Sequence, residues 1–418
     1  MTIERKVGMG IAGQPSGGAA DVAEVFSTHL YAGNAGSQTI TNGIDLAGEG
    51  GMVWFKRRNG AVNHVIFDTE RWTASSGNGL FPNLTNAAGN INELTGFNSN
   101  GFGVTASGYI NDSYDMASWT FRNSKKFFKA VTFSYGGSSA SPTVVTHNLG
   151  CTVGMTFVKQ TNGTQNWYVQ HKDVTGNDNN GALNLNIAFA GGNGQSTSFT
   201  SITDTQATFG AAASFPAGTY VAYFFADNSS EDVDDQMIEC GSFVFGPTSN
   251  PAQRKLTLSW EPQFLLVKRT DGTGDWILMD TMRGLVTAPS NGVRLRANLD
   301  NAEESGSLKF LSPTELQLNL DSLGDYIYMA VRSSMMREPE SATDVLAIST
   351  FGGSAANTAN VRHYSGFPVD MFINRDALDT SSENNSLALR RTHCSSDFIT
   401  SAADYIYLNS TAVAGSNS

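Results

Sequence analysis

Few residues in this sequence have the types and the spacing that a chemical site needs. Gly8, Gly10 and Gly13 fit the pattern Gly-x-Gly-x-x-Gly, in which a tight backbone turn brings a pyrophosphate to the start of a helix. That chemistry requires a strand before the first glycine and a helix after the last one. Only seven residues precede Gly8, and Pro15 disfavours a helix directly after the motif. We therefore predict a flexible arm here and no cofactor.

The histidines and cysteines lack the spacing of a metal site. The six histidines stand at positions 29, 64, 147, 171, 363 and 393, and no two have ligand spacing on one predicted strand. Cys151, Cys240 and Cys394 are far apart, so isolated thiols in strands are expected. The sequence also has no Gly-x-Ser-x-Gly elbow, phosphate loop or His-Glu-x-x-His motif. We predict no catalytic, cofactor-binding or metal residues, and therefore no enzyme activity.

Two groups of charged residues have simpler interpretations. The acidic run Glu231–Asp235 could offer carboxylates to calcium, but it lacks the glycine and the distal glutamate of a calcium loop, and a solvated linker is favoured. Asp68 and Arg71 have the same spacing as Asp280 and Arg283, which predicts an ion pair that fixes a turn. On the surface, such a pair would contribute less than about 1 kcal/mol.

The elements that must position these residues repeat about four times. An apolar strand leads to Lys56, Lys159, Lys268 and Asn374, with spacings of 103, 109 and 106 residues. An aromatic residue closely followed by glycine precedes each strand, at positions 31, 135, 245 and 351, with spacings of 104, 110 and 106 residues. Two landmarks with one period predict a modular array.

Each repeat is predicted to contain a hairpin and a closing strand. Twelve residues separate Lys56 from Asp68, Lys159 from His171 and Lys268 from Asp280, and the intervening loops are polar and contain glycine. The closing strands at 114–122, 220–226 and 326–332 alternate, which is typical of a sheet with one face on the core. We expect four tryptophans at strand positions to be core residues: Trp54, Trp119, Trp167 and Trp276.

These patterns predict an all-β protein, built as a tandem array of about four antiparallel β-sandwich modules. The predicted boundaries are an N-terminal arm over 1–24, modules over 25–128, 129–235 and 236–341, and a partial module over 342–418. The closing strand of the fourth copy would end near residue 438, beyond Ser418, by the spacing of the other copies. We therefore expect that the natural chain continues, or that another chain completes this unit.

Charge and hydropathy limit the possible partners. Lys and Arg number 26 and Asp and Glu number 38, for a net charge of −12, which discourages binding to nucleic acid. No apolar run approaches the roughly 20 residues that cross a bilayer, so membrane insertion is not expected. The N-terminus lacks the apolar segment of a secretory signal, which predicts assembly in the cytoplasm of the producing cell.

Three segments carry a resemblance to a known class of proteins. They are Gly43–Arg57, the pattern Trp276-x-x-x-Asp280-x-x-Arg283-Gly284, and Tyr326–Arg332. Together they resemble repeat-bearing tail-fibre or minor tail proteins of bacteriophages, of the kind common in phages of marine bacteria. The resemblance implies lectin-like or jelly-roll-like β-sandwich modules and supplies no catalytic residues.

The resemblance predicts a non-enzymatic structural protein of a phage virion, assembled in the host cytoplasm. A tail fibre, or another tail-attached appendage that presents modules for host attachment, is the first expectation. The N-terminal arm would bind other virion proteins, the chain would form a homotrimer, and a glycan or protein of the host surface would be the receptor. The alternatives are a capsid-decorating or head-fibre protein and a polysaccharide-degrading tailspike.

Overall fold

The computed structural model describes residues 21–106, 108–174, 183–188, 198–210, 215–233, 235–283 and 292–334, and four strands further along the chain. Nearly all of the predicted arm, including the motif at Gly8–Gly13, lies outside the described residues. Of the predicted fourth module, the description covers only the strands β25 (Met371–Asn374), β26 (Leu387–Cys394), β27 (Ala403–Tyr407) and β28 (Gly415–Ser416), paired in that order.

The first repeat is a sandwich of two antiparallel sheets. Its inner sheet has the order β1-β7-β3-β4, and its outer sheet has the order β2-β6-β5. The elements are α1 (Val22–Val25), β1 (Phe26–Ala32), β2 (Gln38–Thr41), α2 (Leu46–Glu49), β3 (Gly51–Arg57), β4 (Val65–Asp68), β5 (Leu94–Asn98), β6 (Gly101–Val104) and β7 (Asp115–Arg122).

The second repeat follows the same plan. Its inner sheet has the order β12-β11-β10-β15-β8, and its outer sheet has the order β13-β14-β9. The strands are β8 (Phe128–Tyr135), β9 (Thr143–Thr146), β10 (Val153–Gln160), β11 (Tyr168–His171), β12 (Leu183–Asn184), β13 (Phe199–Ile202), β14 (Gln206–Phe209) and β15 (Gly218–Ala226).

The third repeat has the largest inner sheet, with the order β16-β24-β18-β19-β20-β21 beside the outer sheet β17-β23-β22. Its strands are β16 (Ile238–Phe245), β17 (Lys255–Thr257), β18 (Pro262–Arg269), β19 (Ile277–Asp280), β20 (Val293–Arg296), β21 (Glu304–Ser305), β22 (Ser307–Ser312), β23 (Glu315–Asn319) and β24 (Gly324–Arg332). Two 3-10 turns, Pro251–Arg254 and Thr281–Arg283, complete it. The predicted all-β class with antiparallel sandwich modules is confirmed.

The predicted hairpins are present with one register in all three repeats. Met52 pairs with Asp68, Met155 with His171, and Phe264 with Asp280. Since the side chains of a strand alternate between its faces, this common register places equivalent residues of the three repeats on equivalent faces.

The central strands of the inner sheets are buried on both faces, and the expectation that the closing strands belong to a sheet with only one face on the core is therefore wrong. Every residue of β10 is buried, and in β3 only the last residue is partly exposed. In β3, Val53 and Phe55 pack inside the sandwich of the first repeat, whereas Met52 and Trp54 face the opposite way. There they join an apolar core to which all three repeats contribute, which we call the shared core.

Aromatic rings connect the three repeats through the shared core. The ring of Phe157, in the second repeat, lies 6.5 Å from Trp54 in the first repeat and 6.5 Å from Trp276 in the third. The first and third repeats meet directly where Phe26 and Phe264 pack edge to face at 5.6 Å. All four tryptophans predicted as core residues are at most 1% exposed, so that prediction is confirmed.

The three repeats therefore form one closed unit, which we call the three-repeat unit (residues 21–334). In a row of modules the first repeat would contact only the second, but here each repeat contacts both of the others. Three equivalent residues, His64, Trp167 and Trp276, each bond to a neighbouring repeat, so the unit has an approximate threefold relation within one chain. The module boundaries stay predictions. Among the described residues, no helix has the length and apolar character needed to cross a membrane.

Candidate functional site: the junctions between repeats

At each junction, a ring N–H of one repeat donates a hydrogen bond to a backbone carbonyl of a neighbouring repeat. The three donors stand eight residues after Lys56, Lys159 and Lys268. They are His64, Trp167 and Trp276, and their acceptors are the carbonyls of Arg296 (3.2 Å), Phe81 (2.9 Å) and Asn184 (2.9 Å), respectively. Because His64 joins the first repeat to the third, the series closes on itself.

His64 donates a hydrogen bond as an indole would, because a neighbouring side chain determines which ring nitrogen carries the proton. Its Nδ1 accepts a hydrogen bond from Trp54 Nε1 at 2.9 Å, so the ring proton must be on Nε2, which then donates to Arg296. Burial, and then the nearby Lys56, lower the pKa of His64 well below its usual value. The imidazole is therefore neutral at physiological pH and is a fixed donor.

A buried asparagine holds each of these donors in place. The backbone N–H of the donor residue bonds to the Oδ1 of Asn83 (3.2 Å), Asn186 (2.8 Å) or Asn298 (2.8 Å) in the first, second and third repeats. The amide Nδ2 of each then donates to the side chain just before the donor, which is Asn63 (2.7 Å), Asn166 (3.0 Å) or Asp275 (2.7 Å). This arrangement fixes the end of the hairpin loop against the neighbouring repeat.

The three landmark lysines are fully buried, with 0% exposure. The Nζ of Lys56 donates to the carbonyls of Arg57 (2.8 Å) and Gly60 (3.2 Å) in its own loop, and to Asp300 (3.1 Å) in the third repeat. The Nζ of Lys159 donates in the same way to Gln160 (2.8 Å), Gly163 (3.2 Å) and, in the first repeat, Thr85 (3.1 Å). Lys268 donates to the carbonyl of Gly274 in its own loop.

Each of these bonds orders a loop, and two of them also join repeats. An ammonium has three donors, and Lys56 and Lys159 have three carbonyl acceptors each. Sequence reasoning used these lysines only as landmarks and missed their role. The available signal was their spacing from apolar residues of the same strand. Lys56 follows Met52 by four residues and Trp54 by two, so all three side chains are on the same face of the strand, which is buried.

The predicted Asp–Arg pairs are confirmed, and they are buried instead of exposed. The Oδ2 of Asp68 accepts from Arg71 Nε at 2.8 Å, and the Oδ2 of Asp280 accepts from Arg283 Nε at 2.6 Å. The aspartate side chains are 0% exposed in both pairs. The surface value of less than about 1 kcal/mol therefore does not apply, because breaking a buried pair leaves an uncompensated charge.

Each aspartate also accepts a hydrogen bond from the neighbouring repeat. Tyr223, in the second repeat, donates its hydroxyl to Asp68 Oδ2 at 2.5 Å, and Trp119, in the first repeat, donates its indole N–H to Asp280 Oδ2 at 2.9 Å. Burial, and then Asp68, raise the pKa of Tyr223 well above its ordinary value, so the hydroxyl keeps its proton. The Asp–Arg pairs thus lock the first–second and third–first junctions.

The third–first junction carries an additional ion pair between repeats. Glu303 Oε1 lies 2.8 Å from Arg58 Nε in the first repeat and 3.2 Å from Arg283 Nη1 in its own repeat. The Glu303 backbone N–H also donates to the Arg58 carbonyl at 2.7 Å. The Ala88 N–H donates to Thr161 in the same way, at 2.8 Å, across the first–second junction.

At the second–third junction, His171 replaces the aspartate. Its Nδ1 accepts from the Asp173 N–H at 3.2 Å, so its Nε2 proton is the one donated to the Tyr328 carbonyl at 3.0 Å. Burial lowers the pKa of His171 to about 4, which keeps the ring neutral above that pH. The sequence variation at this position therefore changes the chemistry of the junction while preserving a bond between repeats.

These contacts use buried polar groups to hold backbone and side chains in place. Among the residues that the structure describes, no group of three or more His, Cys, Asp or Glu side chains could hold a metal ion.

In the acidic run, Glu231 pairs with Lys126 at 3.0 Å, and Asp232 and Asp235 are exposed. Cys240 is buried and Cys151 is half-buried, and both are free thiols. The side chain of Cys394 lies outside the described residues.

Asp280→Asn should lower the free energy of unfolding of the full chain by about 3 kcal/mol, because Arg283 then loses its closer counter-charge and keeps only Glu303, which is shared with Arg58. Chemical denaturation monitored by tryptophan fluorescence measures the change. The matched control is Asp271→Asn, which removes a pair at 2.6 Å whose aspartate is 37% exposed, and should cost less than about 1 kcal/mol. Equal effects of the two substitutions would show that the buried pair has no special role.

Between pH 7.5 and 9, Lys268 should make the folded protein more stable as pH rises. Burial lowers the pKa of Lys268 from its ordinary value to about 7, so in this window the unfolded chain retains a proton that the folded chain has released. Lys268→Met should therefore reduce the positive slope of unfolding free energy against pH. Buried thiols and tyrosines make the unfolding free energy fall as pH rises further. The quantity to compare is therefore the slope of the variant minus the slope of the wild type. An unchanged slope in the variant would contradict the assignment.

Comparison with known proteins adds one finding. Curated proteins give no match to the chain. A family model described as a domain of unknown function, DUF7483, matches residues 21–334, which are the residues of the three-repeat unit. The match treats the three repeats as one domain, as their shared core does. The chain therefore belongs to the DUF7483 family.

Proposed function

We propose that this protein is a non-enzymatic structural component of a bacteriophage virion, assembled in the host cytoplasm. Its role would be that of a tail fibre or another tail-attached appendage that presents modules for host attachment. In this proposal the N-terminal arm, residues 1–24, binds other virion proteins. A glycan or protein of the host surface is the receptor.

The observation that supports the proposal most is the locking of three sandwiches into a single unit. An appendage must carry force between a particle and a cell without deforming, and closely packed cores resist deformation. Here the buried Asp–Arg pairs, lysines and ring N–H donors join the repeats to one another. The resemblance of Gly43–Arg57 and Tyr326–Arg332 to phage tail proteins points in the same direction.

A homotrimer of this chain would place three such units side by side. Because the shared core is complete within one chain, the contacts of a trimer would lie elsewhere on the protein. With a net charge of −12, the protein is also poorly suited to nucleic acid.

One observation favours a capsid-decorating or head-fibre protein as the second candidate. The approximate threefold relation within one chain would match a threefold position on a capsid, where a single copy could make three similar contacts. The two candidates differ in the position of the three-repeat unit on the particle.

Cryo-EM of intact particles that contain this chain would test the proposal. For a tail appendage we expect density for the three-repeat unit at the tail, with the three sandwiches resolved around one core. Density on the capsid would replace the first candidate by the second. Purified particles that lack the chain, shown by peptide mass spectrometry, would refute the virion role.

A further inference from the structure

The three-repeat unit has two different ends, and both flanking segments leave from the same one. β1 begins at Phe26, which pairs with Phe121 near the end of β7. β24 ends at Arg332, which pairs with Pro262 at the start of β18. We call this the connector end, since the links between repeats at 123–127 and 227–237 lie there too. Residues 1–20 and the chain from 335 onward therefore join the unit at the connector end.

The opposite end is formed by the three hairpin loops that follow the buried lysines. We call it the loop end, and it comprises residues 58–64, 161–166 and 270–275. Central strands of seven or eight residues separate it from the connector end, a distance of roughly 25 Å at about 3.3 Å per residue. No flanking segment leaves the unit there.

The three loops expose side chains at equivalent positions. The residues three and five positions after each lysine are exposed in all three repeats, and the residues between and beside them are not. They are Asn59, Asn162 and Asp271 at the first position, and Ala61, Thr164 and Thr273 at the second. The buried lysines, and the buried asparagines that bond to the ring-donor residues, fix the backbone of these loops. The exposed groups are therefore held in place before any partner binds.

We infer that the loop end is the contact face of the three-repeat unit and that its partner is a repeating, hydroxyl-rich polymer such as a surface polysaccharide. Asn59 and Asn162 each make one side-chain hydrogen bond within the chain, and Asp271 pairs with Arg269. The remaining donors and acceptors of these side chains, with the hydroxyls of the two threonines, can bond to sugar hydroxyls. Three equivalent loops can engage successive sugar units, and weak contacts then combine. This inference rests on the proposed function, and it specifies the end that binds and the class of receptor.

A protein partner fits the loop end less well. Protein interfaces depend on a few large anchors, chiefly tryptophan, tyrosine and arginine, in buried contacts. The exposed residues of the three loops are Asn, Asp, Ala and Thr. The arginines beside the first loop are already engaged: the Arg57 guanidinium lies 3.0 Å from the centre of the Tyr114 ring, and Arg58 pairs with Glu303.

The test uses the full chain in assembled particles, with Cys151→Ser and Cys394→Ser as background. Thr164→Cys places a reactive thiol at the loop end, and Lys125→Cys places one at an exposed position of the connector end. After reaction with maleimide-polyethylene glycol, the Thr164→Cys particles should adsorb to host cells about tenfold more slowly, because the polymer blocks contacts that act jointly. Lys125→Cys should be protected from the reagent or leave adsorption unchanged.

A second arm of the experiment identifies the class of partner. Periodate, which oxidises vicinal diols, should abolish adsorption of unlabelled particles when it is applied to the host cells, and protease treatment should not. Loss of adsorption after protease but not periodate would overturn the polysaccharide assignment. Unimpaired adsorption of labelled Thr164→Cys particles, or equal loss from the Lys125→Cys label, would overturn the assignment of the end. Absence of the chain from particles would instead refute the proposed function.

Discussion

The three-repeat unit depends on the burial of both faces of its central strands. A two-layer sandwich covers only one face of each sheet, and the apolar residues of β3 and β10 that point away from it need a second apolar layer. Each inner sheet finds this layer in the inner sheets of the other two repeats, which together form the shared core. Removal of one repeat would expose apolar surface on both of the others, so the repeats are expected to fold as one unit.

Apolar packing alone would not fix how three similar sheets meet. The polar groups at the junctions supply this specificity, because a buried donor or acceptor is costly when its partner is missing. Asp68 requires the Tyr223 hydroxyl, Asp280 requires the Trp119 indole, and His171 requires the Tyr328 carbonyl, each from a different repeat. A shifted arrangement would leave these groups unpaired. In this respect the junctions set the geometry, and the shared core supplies most of the stabilisation.

The local features of the fold could be predicted from the sequence, and the closure could not. The constant spacing from Lys56 to Asp68 and its equivalents gave the hairpins and their common register, and strand positions gave the buried tryptophans. The contact between His64 and Arg296 links residues more than two hundred positions apart, and tandem repetition is compatible with a row or with a closed unit. The burial of Asp280 and Lys56 follows from that closure, so it was missed as well. A continuous apolar run such as Met52–Phe55 is nevertheless a signal of strands covered on both faces.

The central claim is that the first and third repeats are in contact, and a disulfide between them tests it most directly. The Glu303 N–H lies 2.7 Å from the Arg58 carbonyl, a separation at which cysteines at these two positions should come within bonding range. We predict that the full chain with Arg58→Cys and Glu303→Cys, in the Cys151→Ser and Cys394→Ser background, forms an intramolecular disulfide on mild oxidation. Peptide mass spectrometry of monomeric protein would detect it. The control pair, Lys125→Cys with Glu303→Cys, joins opposite ends of the unit and should not react. A failure of the first pair to cross-link within one chain would contradict the closed unit and would favour a linear row of repeats.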